Sequence, residues 1–365
     1  MADAPIDARH FLLACYSVHL ILGNTLKSLR VRHSTLRHYL NQAISLHLAR
    51  GLPDPTEPSF LSQDLVSVLL NAVKSYEKVP NRKEMITDSM ILHMLQECRL
   101  SPPDSLHFAI FDWIILGRVT GARRSEWCQD GSGIEMTTPC LAHPIPEPKA
   151  FIFDDFHFFD ALHRRIYNVS GQNANEVAFV KICWRFQKNN DNGQVIPYSR
   201  DRSNPEVCPV MAAVRIILRA SALGLPSSSP LAIYAPTSSS SNFTHITASQ
   251  VVKFLRRSAQ AVFGFKSKDT ALQRWTCHSI RVTAANILHR AGMSDSYIQT
   301  RLRWKSNTFL MYLRNTFHSA DKHSTVLAIS PSNIPSIPTC DGVIHRPLEP
   351  HEVILSSQQQ AAMPA

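Results

Sequence analysis

His278-Ser-Ile-Arg281 opens the run HSIRVTAANILHRAGMSDSYIQTRLRWKSNTFLMYLR, residues 278–314, and the pattern of this run decides the fold. Residues three apart share a helix face, so His278 and Arg281 can converge on one ligand. Behind them Ala284, Ala285, Ile287 and Leu288 form an apolar stripe at helical spacing, which predicts a helix with one face in the core. Gly292 is placed to end it, and Ser294 or Asp295 to cap the next. Further on, Ser306-Asn307-Thr308 offers an N-cap that puts Tyr312 about one turn into a short helix following Trp304. A tyrosine phenolate can form a covalent intermediate when its proton is removed and the phosphate charge is neutralised.

Thr120-Gly121-Ala122-Arg123-Arg124-Ser125-Glu126-Trp127, far upstream, supplies further cations. A guanidinium grips two non-bridging oxygens in parallel, which a lysine does not reproduce. Arg123 and Arg124 compete for that role, and Glu126 is spaced to orient Arg123. Between the two stretches, Phe151-Ile-Phe153 and Val177 to Phe186 are β-rich, and Lys188-Asn-Asn-Asp-Asn-Gly193 is a turn signal. Lys188 sits at the tip of the implied hairpin, where a flexible amine reaches into a groove; Lys181, within the strand, is its competitor. A second His-x-x-Arg, His47-Leu-Ala-Arg50, reads as incidental.

The first 80 residues read as helices over about Ala8–Leu29, Ser34–Gly51 and Ser62–Tyr76, with prolines 53, 55 and 58 between the last two. Lys78 to Glu84 is polar and proline-interrupted, which marks a boundary between a helical module (1–80) and a larger domain (81–320). Two helices follow, parted by Ser101-Pro102-Pro103-Asp104, the second over Ser105–Arg118. Helices return after Pro209, interrupted by a serine-rich loop at Ser227–Asn242. The segment 321–365, rich in Ser, Pro and Gln, is expected to be disordered. The order predicts a mainly α chain with a small antiparallel sheet, an α+β fold.

With 38 Lys+Arg against 28 Asp+Glu the net charge is +10, which favours an anionic partner, nucleic acid before membrane. Lys27, Arg30, Arg32 and Arg37 cluster around the start of the second helix; with Arg256 and Arg257 they are the candidate DNA contacts. The eight cysteines are scattered singly with no CxxC pair, so neither a zinc ribbon nor a disulfide framework is indicated. Cys128, Cys140 and His143 lack metal-ligand spacing. The apolar run Phe11–Gly23 is too short to span a membrane and follows Asp3 and Asp7 rather than a basic segment, so an intracellular protein is expected.

In chain order these elements are Arg-x-x-Glu, a hairpin lysine, His-x-x-Arg, Trp and Tyr. That order resembles the tyrosine recombinase (phage integrase-like) superfamily over nearly all of residues 1–320. Gly-Ala-Arg-Arg-Ser-Glu-Trp and Arg-Trp-Lys-Ser-Asn-Thr-Phe-Leu-Met-Tyr look like the recombinases of Crypton- and DIRS-type mobile elements. The resemblance implies a helical core-binding domain that clamps DNA and a catalytic domain carrying Arg123, Lys188, His278, Arg281, Trp304 and the nucleophile Tyr312, with Glu126 in support. It also implies double-stranded DNA as partner, a homotetramer on that DNA, no metal or other cofactor, and action in the nucleus of a eukaryotic host. Three alternatives differ in outcome: a type IB-like topoisomerase, a catalytically silent domesticated DNA-binding protein, and a metal-dependent nuclease built on Asp154, Asp155 and Asp160. A surface role is expected for those three acids.

Overall fold

The computed structural model describes residues 6–23, 31–55, 65–77, 82–131, 133–138, 145–187, 191–236 and 242–313. Residues 1–313 cluster as one compact unit, and the segment 321–365 lies outside the described residues. The chain is mainly helical with a small antiparallel sheet, as its sequence predicts. Among the described residues no helix is long and apolar enough to cross a membrane.

Helices α1 (Ile6–Ile21), α2 (His33–Ala49) and α3 (Leu65–Tyr76) pack on one another around Leu13, Leu20, Leu36, Leu40 and Val66. Helix α1 ends at Ile21, where Gly23 takes φ 88°, and residues 24–30 lie outside the described ones. Arg32, in extended conformation, precedes α2 in the capping position, so Ser34 lies inside the helix. His47 of the second His-x-x-Arg is buried on α2.

The larger core is organised by α5 (Leu106–Thr120), buried continuously from Ala109 to Gly117. A helix apolar all round belongs at the centre of a domain. It packs against α4 (Asp88–Arg99), α7 (Pro209–Ala222), α8 (Ala248–Phe263) and α9 (His278–Arg290). Its one buried acid, Asp112, accepts from Arg215 at 2.6 Å and from Arg219 at 2.5 Å, so α5 and α7 are joined by a compensated charge cluster. Gly117 lets α5 approach α9 closely: a Cβ there would lie 2.6 Å from Ile280 Cγ2. Gly117→Ala should therefore destabilise the fold by about 1–3 kcal/mol. An unchanged urea midpoint would show that the α5–α9 contact yields at little cost.

The sheet has strand order β2–β1–β3–β4, from β1 (Phe156–Phe159), β2 (Arg165–Ile166), β3 (Phe179–Trp184) and β4 (Gln194–Ser199). Here the structure corrects the sequence reading. Phe151-Ile-Phe153 is not a strand: the Asp155 carboxylate accepts from the Ile152 N–H at 2.8 Å, and Phe153–Asp155 form a 3₁₀ turn. The Phe151 ring goes into the core, stacked at 6.2 Å on Trp113. Asp155 is not on the surface either, being 1% exposed and paired with Arg185 at 2.7 Å. Asp160 binds Arg164 at 2.7 Å, so these two acids are held by separate arginines; among the described residues no acid cluster has the makings of a metal site. A two-stranded ladder, β5 (Ile233–Tyr234) with β6 (Thr244–His245), flanks the serine-rich loop and was not anticipated.

Candidate active site

Arg123 follows the left-handed turn at Gly121 (φ 61°) and immediately precedes the single-turn helix α6 (Arg124–Trp127). Glu126 Oε2 accepts the Arg123 backbone N–H at 2.7 Å, and Oε1 accepts Arg123 Nη1 at 2.9 Å, so the acid orients this guanidinium as its spacing suggests. Cys277 precedes α9, leaving His278 exposed at its first turn while Arg281, one turn on, is 5% exposed. The Thr276 hydroxyl accepts the His278 N–H at 3.3 Å, and Arg281 Nη1 donates to the Gly121 carbonyl at 2.6 Å. The two stretches of chain, 121–126 and 276–281, are thereby tied together.

Ser294 caps α10 (Asp295–Leu302), as expected. After Trp304, residues Asn307–Tyr312 form a 3₁₀ turn rather than an α-helix, with no side-chain cap at Ser306. Burial and a hydrogen bond both hold this turn. Phe309 is fully buried among Ala284, Ala285, Ile298 and Leu302, and Asn286 Nδ2 donates to the Tyr312 carbonyl at 2.8 Å. The Tyr312 ring lies against His278, with centroids 4.9 Å apart at 64°, and against Trp304 at 5.2 Å. Arg281 Cζ sits 4.9 Å over the Trp304 ring, a cation–π contact.

Arg123, His278, Arg281, Trp304 and Tyr312 thus line one open cavity of about 690 Å³, together with Arg124, Ser125, Thr276 and Cys277. Lys188 lies outside the described residues, but its neighbours Gln187 and Asn192 line an adjoining cavity with Arg123 and Glu126. Strands β3 and β4 do form the expected hairpin, with Trp184 opposite Gln194. Lys181 is on β3 with its ammonium 4.8 Å over the Phe159 ring, and it does not line the cavity.

The site is rich in positive charge. Burial, then the nearby Arg123 and Arg303, push the Arg281 guanidinium down to about 9, against the opposing pull of Glu126 and Tyr312. An anion in the cavity would relieve that shift. The direction of the shift marks a charge the empty site holds at a cost, and therefore a place suited to an anion.

Several solved structures align with most of this chain. The Tn1549 transposon integrase, in complex with transposon right-end DNA, aligns with 89% of this chain and 87% of its own at 15% identity and TM-score 0.49. A lambda integrase dimer bound to a core site covers 86% and 81% at 15% identity, TM-score 0.40. XerA recombinase covers 88% and 98% at 11% identity, TM-score 0.38. No family model and no curated protein sequence matches the chain.

Of the sequence's candidate DNA contacts, Lys27 and Arg30 lie outside the described residues, while Arg32 and Arg37 are exposed at and on α2. Arg256 and Arg257 flank a groove of about 850 Å³ along α8 that also takes in Lys253 and Lys268. Arg256 donates to the Trp275 carbonyl at 3.2 Å, and Arg257 pairs with Glu97 at 2.7 Å. Their lysine neighbours, which the sequence reading did not single out, are exposed. The same reading missed Arg303 and Asn286, whose roles depend on contacts across the fold.

Proposed function

We propose that this protein cuts and rejoins DNA through a 3′-phosphotyrosyl intermediate on Tyr312. The observation that carries the reading is the packing of the Tyr312 ring between His278 and Trp304, in a cavity whose walls are arginine-rich. The Tyr312 oxygen attacks phosphorus in line, the bond to the 5′-oxygen breaks, and a free 5′-hydroxyl leaves. His278 accepts or positions the phenol proton, and Lys188 donates one to the departing oxygen. Arg123 and Arg281 hold the non-bridging oxygens, a role worth roughly 10²–10³ in rate for a single donor. The Trp304 indole N–H donates to the phosphate.

Arg123 is preferred to Arg124 because it bears on Arg281 electrostatically and is oriented by Glu126, whereas Arg124 faces Glu135 at 3.8 Å. The ester keeps the energy of the broken bond, so neither ATP nor a metal is required. Residues 1–80 serve as the clamp domain and 81–320 as the catalytic domain. Double-stranded DNA is the substrate, and exchange between two duplexes calls for a homotetramer. The motifs around Arg123 and Trp304 favour integration of a Crypton- or DIRS-type element.

A nicked suicide duplex, incubated with the protein in EDTA and run on a denaturing gel, tests this reading. A covalent protein–DNA adduct is expected. DNA binding without an adduct on any nicked duplex would favour a silent DNA-binding protein. Relaxation of supercoiled plasmid with no strand exchange would favour a topoisomerase.

A further inference from the structure

We propose that Arg303 is a positioning residue of this site: its buried guanidinium holds the Glu126 carboxylate and so keeps Arg123 available to the phosphate. The inference rests on the strand-transfer reading above. Arg303 is an unusual residue at its place. Its backbone is left-handed (φ 59°), a conformation that suits glycine and strains other residues. Its side chain is fully buried, which costs an arginine heavily unless partners compensate. A residue serving the fold alone would be glycine for the backbone, or apolar for the burial.

The partners explain its presence. Nη1 donates to the Thr120 carbonyl and Nη2 to Glu126 Oε2, each at 3.1 Å. The guanidinium carbon lies 3.8 Å over the Trp184 ring, whose own N–H reaches the same Oε2 at 3.4 Å. Glu126 Oε2 thus faces Arg303, Trp184 and the Arg123 backbone, and Oε1 meets the Arg123 side chain. One carboxylate is shared by two guanidiniums. Without Arg303, Glu126 would pair wholly with Arg123, turn with it, and cancel the charge meant for substrate.

Arg303→Gly relieves the backbone strain, so the variant should fold. At saturating DNA its single-turnover cleavage should fall about 10–100-fold, with Kd for DNA moving less than about three-fold. In an Arg123→Ala background the same change should cost almost nothing more, because it acts through Arg123. Arg303→Lys keeps the charge but not the fork, and should recover part of the rate at an unchanged melting temperature. Multiplying losses in the double variant, a loss confined to Kd, or a wild-type rate in Arg303→Gly would each overturn the proposal. If Arg303→Gly does not fold, the lysine variant decides: a reduced rate supports the proposal and a wild-type rate overturns it.

Titration with orthovanadate by calorimetry separates this claim from the reading beneath it. Should the wild-type protein form no adduct, vanadate binding must still weaken about ten-fold in Arg303→Gly, and not further in the Arg123→Ala background. Unchanged vanadate binding in Arg303→Gly overturns the positioning role on its own.

Discussion

Tyr312→Phe should abolish the covalent adduct while leaving DNA affinity within about two-fold of wild type. The substitution removes one oxygen and keeps the ring that packs against His278 and Trp304. The turn carrying it is anchored elsewhere, by the buried Phe309 ring and by Asn286 on the Tyr312 carbonyl. Fold stability should therefore change by at most about 1 kcal/mol. In the proposed reading the arginines and the basic surface hold the DNA, and the hydroxyl supports neither. An adduct that persisted in Tyr312→Phe would move the nucleophile to another group on the cavity wall. Ser125 and Cys277 are the side chains to replace next. A large loss of affinity would instead make Tyr312 a structural residue.

The local part of this architecture was readable from the chain. Helix α9, the break at Gly292, the cap at Ser294 and the β3–β4 hairpin each follow from periodicity or turn chemistry within a short window. The failures occur where a distant partner overrides the local pattern. Phe151-Ile-Phe153 has a strand's composition, but the aromatic cluster with Trp113 and Trp184 takes the Phe151 ring and Asp155 closes the backbone into a turn. Tyr312 lies on a 3₁₀ turn because Phe309 must reach the pocket between α9 and α10.

The site divides in the same way. His278 and Arg281 were legible because they share one helix face, and Arg123 with Glu126 because three residues bring them together. Trp304 and Tyr312 needed the order of the whole motif set. Arg303 offered no such signal. In Arg301-Leu-Arg303-Trp304-Lys305 it looks like one more surface cation, and only the fold reveals that its partner is a carboxylate on α6. Asn286, amid an apolar helical stripe, was hidden for the same reason: its partner is the backbone of residue 312.

Arg281→Met should make the empty protein more stable and, in the proposed reading, almost abolish DNA cleavage. In the folded chain this guanidinium is buried among Arg123 and Arg303, and its pKa lies near 9, well below the ordinary arginine range. The unfolded chain therefore holds that proton more tightly than the native state does. Carrying that charge therefore reduces the stability of the native state. Methionine fills similar space without the charge, and such replacements of buried ionic groups commonly stabilise by roughly 1–4 kcal/mol. Loss of the bond to the Gly121 carbonyl offsets part of this, by about 1 kcal/mol. The melting temperature at pH 7 should rise. Cleavage should fall by at least about 10²–10³, because a charged donor to the phosphate is gone. Orthovanadate should raise the melting temperature of the wild-type protein and not that of Arg281→Met. A lower melting temperature in the variant would mean that Arg281 is held by the fold for its own sake. A higher one, with activity lost, would mean that the fold tolerates this charge for the anion it is there to meet.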